Sequence, residues 1–204
     1  MPVQDNRWAV LPVKPFDWAK SRLDGVLSPA ERASLARQLM QGSLSALIES
    51  QCFQRVVVVS RDAEALAIAQ EHGAQGLAED APADLNLAIV TARNLAMLEG
   101  AGSMLILASD LPLVRPEDIQ RIVTSGERAS AVIVPDRHAQ GTNALLLSPP
   151  DLIEPAFGIQ SFPRHMALLS SAGATVSVLR IKGVAFDVDV PQDLADLEIH
   201  GDST

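Results

Sequence analysis

Tyrosine is absent from this 204-residue chain, and aromatic residues altogether make up only 3% of it. Its core must therefore be aliphatic, and an aromatic platform for stacking single-stranded nucleic acid is not to be expected. A lone cysteine, Cys52, allows no intramolecular disulfide, which suits a reducing compartment. No apolar run approaches the roughly 20 residues that span a bilayer. The opening MPVQDNRWAV lacks the charged-then-apolar pattern of a secretory leader, so a cytoplasmic location is expected. Basic residues are in deficit: 16 Lys and Arg against 25 Asp and Glu leave a net charge of -9. That balance repels nucleic acids and anionic membranes, and neither is expected as a partner. It leaves room for a small phosphorylated ligand, because a few local cations can override the global field.

What is present is globular. Hydrophobic residues make up 48%, and the length suits one domain over residues 1–204 with a sizeable core. The pattern alternates strand and helix. Trp8 to Val13 reads as a buried strand. Ser28-Pro29-Ala30-Glu31 is a capping box with proline at the first helical position, opening a helix to about Ser50. Val56 to Val59 is a β-branched strand, and Asp62 caps a helix to about His72. A short strand follows at Ala74 to Leu77, then a helix over 84–98. Met104 to Ala108 is a further buried strand. Pro116 opens a helix to about Thr124. Strands are predicted at Ala131 to Val134, Asn143 to Leu147, Thr175 to Leu179 and Val184 to Phe186, with helices over 161–172 and 191–198. Repeated βα units imply a largely parallel sheet covered on both faces.

Several residues can carry chemistry. Asp110 follows an apolar strand, the place where open α/β sheets bind ligands, and its carboxylate suits a hard cation; a turn-capping role is the plainer alternative. In FDVDVPQDL, Asp187 and Asp189 are two apart, so along a strand both carboxylates face one way. Such a pair repels unless a cation lies between; otherwise one caps the next helix and the other is solvated. Asp193 reads as a first-turn helix residue. Lys14, Lys20 and Arg22, in PVKPFDWAKSRL, form a basic loop able to neutralise a triphosphate and a leaving pyrophosphate, or simply a solvated one. Gly158 lets a backbone N–H approach an anion, and a helix start near Ser161 favours a phosphate. Asn86 either reads a base edge or terminates a loop. His165 is a candidate buried structural histidine.

Taken in order, PVKPFDWAKSRL, Leu85-Asn86, ASDLPL around Asp110, GTNALLL from Gly141, FGIQSFPRH from Phe157 and FDVDVPQDL resemble the guanylyltransferases that activate a phosphorylated carboxylic acid for the deazaflavin coenzyme F-420. The resemblance runs from about Val10 to Leu197. It implies a three-layer α/β nucleotidyltransferase fold, nucleotide-diphospho-sugar transferase-like, with a mixed, mostly parallel sheet. It implies Mg²⁺ on Asp110, Asp187 and Asp189. Thr142, Gly158 and Ser161 would hold the acceptor's phosphate or carboxylate, and Lys14, Lys20 and Arg22 would face the phosphates. GTP and 3-phospho-D-glycerate, phosphoenolpyruvate or 2-phospho-L-lactate are the implied substrates. A downstream enzyme would take the labile product, and a homodimer is an open option. More distant nucleotidyltransferases carry a glycine-rich first loop; here no glycine lies between Trp8 and Leu23, so side chains must do more of the phosphate binding. The competing readings are a nucleotidyltransferase acting on a sugar phosphate or a pterin, and a non-catalytic α/β binding module.

Overall fold

A computed structural model describes residues 6–79 and 84–201. Seven strands form one sheet in the order β3-β2-β1-β4-β6-β5-β7. They are β1 (Arg7–Val13), β2 (Arg55–Ser60), β3 (Gln75–Ala78), β4 (Ser103–Leu107), β5 (Ala131–Pro135), β6 (Thr142–Leu147) and β7 (Val176–Val178). The helices are α1 (Pro29–Glu49), α2 (Ala63–Glu71), α3 (Leu85–Leu98), α4 (Pro116–Gly126), α5 (Ser161–Ser171), α6 (Lys182–Ala185) and α7 (Pro191–Gly201).

Alternation along the strands builds two cores. Ala9, Leu11 and Val13 of β1 face α1, α2 and α4, together with Val58, Leu105 and Leu146. Trp8 and Val10 face the other way, with Val57, Met104, Ile106 and Leu145, against Ala88, Ile89 and Ala92 of α3 and Leu169 of α5. A sheet buried on both faces reads as a continuous apolar run, which is why all five residues of β4 are buried. The predicted helix starts hold. Ser28 and Glu31 form the reciprocal capping box. Asp62 caps α2, and Asp84 accepts from the amides of Asn86 and Leu87 at the head of α3.

One expectation holds and another needs correction. The sheet is mixed: β4–β6 and β5–β6 pair antiparallel, whereas β1–β2, β1–β4, β2–β3 and β5–β7 are parallel. Only residues 136–141 join β5 to β6, too few for a crossover, so β6 must return antiparallel. Asp136 holds that turn by accepting from the amides of His138, Gln140 and Gly141.

The strand expected at Val184 to Phe186 is absent; those residues follow Lys182 into the single-turn helix α6 or just leave it. Both the Val184 and Ala185 amides donate to the Ile181 carbonyl, at 3.1 and 2.8 Å. Gly183 permits the turn to press against β4's exit loop, since a Cβ there would lie 2.5 Å from the Leu113 carbonyl oxygen. Asp187 and Asp189 consequently sit in an extended segment outside the sheet.

Candidate active site

The carboxyl end of β1 runs into two 3-10 turns, Phe16–Trp18 and Ser21–Leu23. Buried Phe16 anchors this loop: its amide donates to Asp62 at 2.8 Å, and Arg37 lies over its ring. Lys20, between the turns, takes a left-handed backbone conformation (φ 55°). Its side chain is only 7% exposed and turns inward to Asp110 at 2.6 Å, the Val188 carbonyl at 2.6 Å and Asp189 at 3.4 Å. Burial alone would lower the Lys20 pKa, but the charges of Asp110 and Asp189 prevail and raise it. The ammonium therefore joins three chain segments far apart in sequence.

Asp110 stands where β4 leaves the sheet. Its carbonyl accepts from the Val188 amide at 3.3 Å, clasping the 187–189 segment to that exit. Asn143, buried at the start of β6, donates to the Val184 carbonyl at 3.0 Å and to Asp187 at 3.3 Å. Asp193, in the first turn of α7 as expected, accepts from the amides of Asp189 and Val190 and pairs with Arg137. These ties fix Asp187 and Asp189 without a strand. Burial, then the charges of Asp110 and Asp189, push the Asp187 carboxyl up to about 6.

On the facing wall, Thr142 opens β6, and residues 156–160 curl under the start of α5. Gly158 needs its freedom here, with φ at 115°. Ser161 is the first helical residue, almost wholly buried, and Gln160 occupies the cap position in a left-handed conformation. The Thr142 hydroxyl meets His165 Nδ1 at 3.0 Å.

Together these walls enclose a cleft of about 550 Å³, the size range of small-ligand sites. It is lined by Lys14, Lys20, Arg22, Asp110, Thr142, Gly158, Ser161, Asp187 and Asp189. Lys14 is exposed at its edge, and Arg22 reaches Asp189 at 3.6 Å while staying mostly in solvent. Asn86 is the one expected site residue outside the lining. Its amide is spent on the backbone of Phe157, accepting from its N–H at 2.8 Å and donating to its carbonyl at 3.2 Å. It thereby holds the loop that carries Gly158.

Asn143 and His165 bind site segments together, yet no local pattern assigned them that work. Asn143 sat inside a motif but looked like an ordinary strand residue; His165, expected as a buried structural histidine, is fully buried.

The donor set suits a hard cation, being all oxygen. Among the described residues no group of three or more His, Cys, Asp or Glu side chains is close enough to form a cage. Mg²⁺ does not require one, because it binds through one or two carboxylates plus phosphate and water oxygens. The carboxylates of Asp110 and Asp187 offer such a pair; Lys20 engages both Asp110 and Asp189, and Arg22 also reaches Asp189.

A mixed sheet between two helical layers, with acidic groups beyond β4 opposite a basic loop after β1, is the architecture of a nucleotidyltransferase. Solved structures agree on the fold. One from Desulfovibrio desulfuricans G20 superposes with a TM-score of 0.80 at 18% identity, covering 98% of this chain and 89% of that one. A nucleotidyl transferase from Methanothermobacter thermautotrophicus gives 0.69 at 12% identity, covering 96% and 97%.

Sequence narrows the class. The model of the family described as guanylyl transferase CofC-like matches residues 7–204. The phosphoenolpyruvate guanylyltransferase of Sphaerobacter thermophilus is 41% identical, over 94% of this chain and 92% of its own. The 2-phospho-L-lactate guanylyltransferase of M. thermautotrophicus is 33% identical, over 96% and 86%. The chain belongs to the CofC-like guanylyltransferase family.

Proposed function

We propose that the protein transfers GMP from GTP to a small phosphorylated carboxylic acid in coenzyme F-420 biosynthesis, releasing pyrophosphate, and that the reaction depends on Mg²⁺. The observation that carries this is the two-walled cleft. A cationic loop and three aspartates line it together with Thr142, Gly158 and Ser161. The acids in question are phosphoenolpyruvate, 2-phospho-L-lactate and 3-phospho-D-glycerate. The name of the 41%-identical relative supports trying phosphoenolpyruvate first.

In the step envisaged, an oxygen of the acid's phosphate attacks the α-phosphorus of GTP. A P–O–P bond forms, the bond from the α-phosphorus to the bridging oxygen breaks, and pyrophosphate leaves with the electron pair. The attacking phosphate is already largely ionised near neutral pH, since its second pKa is about 6. No general base is then required, which fits a cleft without a Ser–His–Asp set. The obstacle is the meeting of two polyanions. Lys14 and Arg22 would face the phosphates from the edge of the cleft, and Lys20 supplies a buried cation beside Asp110. Asp110 and Asp187 would hold Mg²⁺, which when bound neutralises phosphate oxygens in line with the transfer. Thr142, Ser161 and the Gly158 backbone would bind and orient the acid. Asn86 keeps that wall in place through Phe157.

Calorimetric titration with each nucleoside triphosphate tests the nucleotide and metal together. GTP with Mg²⁺ is expected to bind at least about 10-fold more tightly than ATP, CTP or UTP, and chelation with EDTA to weaken GTP by a similar factor. Equal affinity for all four nucleotides, unaffected by EDTA, would sink the reading. A sugar phosphate or pterin acceptor would leave this titration intact and fail only with the acids.

A further inference from the structure

We propose that His165 is a positioning residue that fixes the direction of the Thr142 hydroxyl, so that the single hydroxyl proton is offered to an anionic oxygen of the acid acceptor. The inference rests on the acid-binding role proposed for Thr142 and extends it to a residue that need not touch substrate.

The proton positions follow from one backbone bond. The Ala156 N–H can only donate, and it lies 3.0 Å from His165 Nε2. That nitrogen must therefore carry the lone pair. In a neutral imidazole the proton is then on Nδ1, which faces Thr142 Oγ1 at 3.0 Å. Nδ1–H donates and the hydroxyl oxygen accepts.

A threonine hydroxyl has one proton and two lone pairs. His165 engages a lone pair, and among the described residues no protein group accepts the proton. Thr142 lines the cleft, so that proton is free for a ligand acceptor. Were the tautomer reversed, Thr142 would donate to the imidazole and turn a lone pair toward the incoming anion.

The surroundings hold the ring in this state. His165 is fully buried, and the Phe157 ring meets it edge-on at 4.7 Å. Burial, with a smaller contribution from the Arg164 charge, holds its pKa down to about 4, so the ring is neutral throughout the physiological range. The same ring also fastens Ala156, two residues before Gly158. It thus ties the β6 side of the acid wall to the loop side.

Two substitutions separate the bonds. In His165→Gln the side-chain carbonyl can still accept from Ala156, but no donor reaches Thr142. In His165→Asn the amide can still donate to Thr142, but the acceptor for Ala156 is lost. Steady-state kinetics with GTP and phosphoenolpyruvate are compared for these variants, Thr142→Val, and the His165→Gln/Thr142→Val double variant.

Thr142→Val and His165→Gln are each expected to raise the KM for the acid about 10-fold with little change for GTP. In the Thr142→Val background, His165→Gln should add less than about 2-fold. His165→Asn should recover an acid KM nearer the wild-type value. Full additivity in the double variant, or an equal rise in KM for GTP, would overturn the inference.

Nitrogen-15 NMR of the wild-type imidazole gives a readout that needs no variant to fold. The expected signature is a protonated Nδ1 and an unprotonated Nε2; the reverse tautomer would refute the proposal outright. Absence of turnover in the wild type with all three acids would instead overturn the functional reading, and this inference with it. Wild-type turnover with additive variants would overturn this inference alone.

Discussion

Asp110→Asn is expected to reduce pyrophosphate release by about 10³-fold while the protein stays folded. Asp110 is the one carboxylate contributed by the exit of β4, and the proposed metal has no substitute for it there. An amide of the same shape removes the charge and keeps the volume, so the effect reports electrostatics instead of packing. Stability should fall by only about 1–2 kcal/mol. Lys20 loses its nearest charged partner at 2.6 Å but retains the Val188 carbonyl at 2.6 Å and Asp189 at 3.4 Å. The checks are single-turnover kinetics beside a thermal melt. Turnover within about 10-fold of the parent would remove Asp110 from the metal role.

Asp187→Asn is expected to pull activity and stability in opposite directions. In the metal-free protein, Asp187 is largely buried beside Asp110 and Asp189, and its carboxyl is pushed up to about 6 from an ordinary 3.8. A folded pKa above the unfolded one means the native state holds the proton more tightly. That contribution is full below about pH 4 and is lost as pH rises through 6. At neutral pH the native state thus carries an ionised carboxylate in an unfavourable place. The amide carries none, and its oxygen can still accept from Asn143. Because the site is partly open to solvent, the gain should be about 1–2 kcal/mol above pH 6.5, shrinking toward zero near pH 4. Activity should fall by about 10²-fold or more. Melts across pH 4–8 in EDTA read the first effect and initial rates the second. Equal or lower stability of the variant at pH 7 would mean that the carboxylates do not strain the fold.

Much of this architecture was legible locally. The apolar strand at Met104 to Leu107, the Ser28–Glu31 capping box and the Asp62 cap are each decided by neighbours in sequence, and each appears where the pattern puts it. Asp110 was placeable for the same reason, since it follows β4 where α/β sheets gather ligands; Asp187 and Asp189 reach the same cleft from outside the sheet.

What escaped is decided at a distance. The triplet Val184 to Phe186 is too short to show a period of 2 or 3.6, and its helical turn is fixed by the close approach of Gly183 to the Leu113 carbonyl. Asn86 suggested a base reader because a side-chain amide at a helix start carries no sign of its partner, which lies 71 residues away at Phe157. Asn143 and His165 likewise act across 44 and 23 residues. The mixed sheet was expected from the resemblance, and the six residues of 136–141, too few for a crossover, account for the antiparallel return of β6.

The central claim, GMP transfer to a phosphorylated acid, is tested most directly by pyrophosphate release. GTP and Mg²⁺ are supplied with phosphoenolpyruvate, 2-phospho-L-lactate or 3-phospho-D-glycerate in turn, in the presence of the next enzyme to trap the labile product. Release that requires one of the acids and is absent with GTP alone is the predicted result. No release with any of the three, from folded protein that still binds GTP, would contradict it.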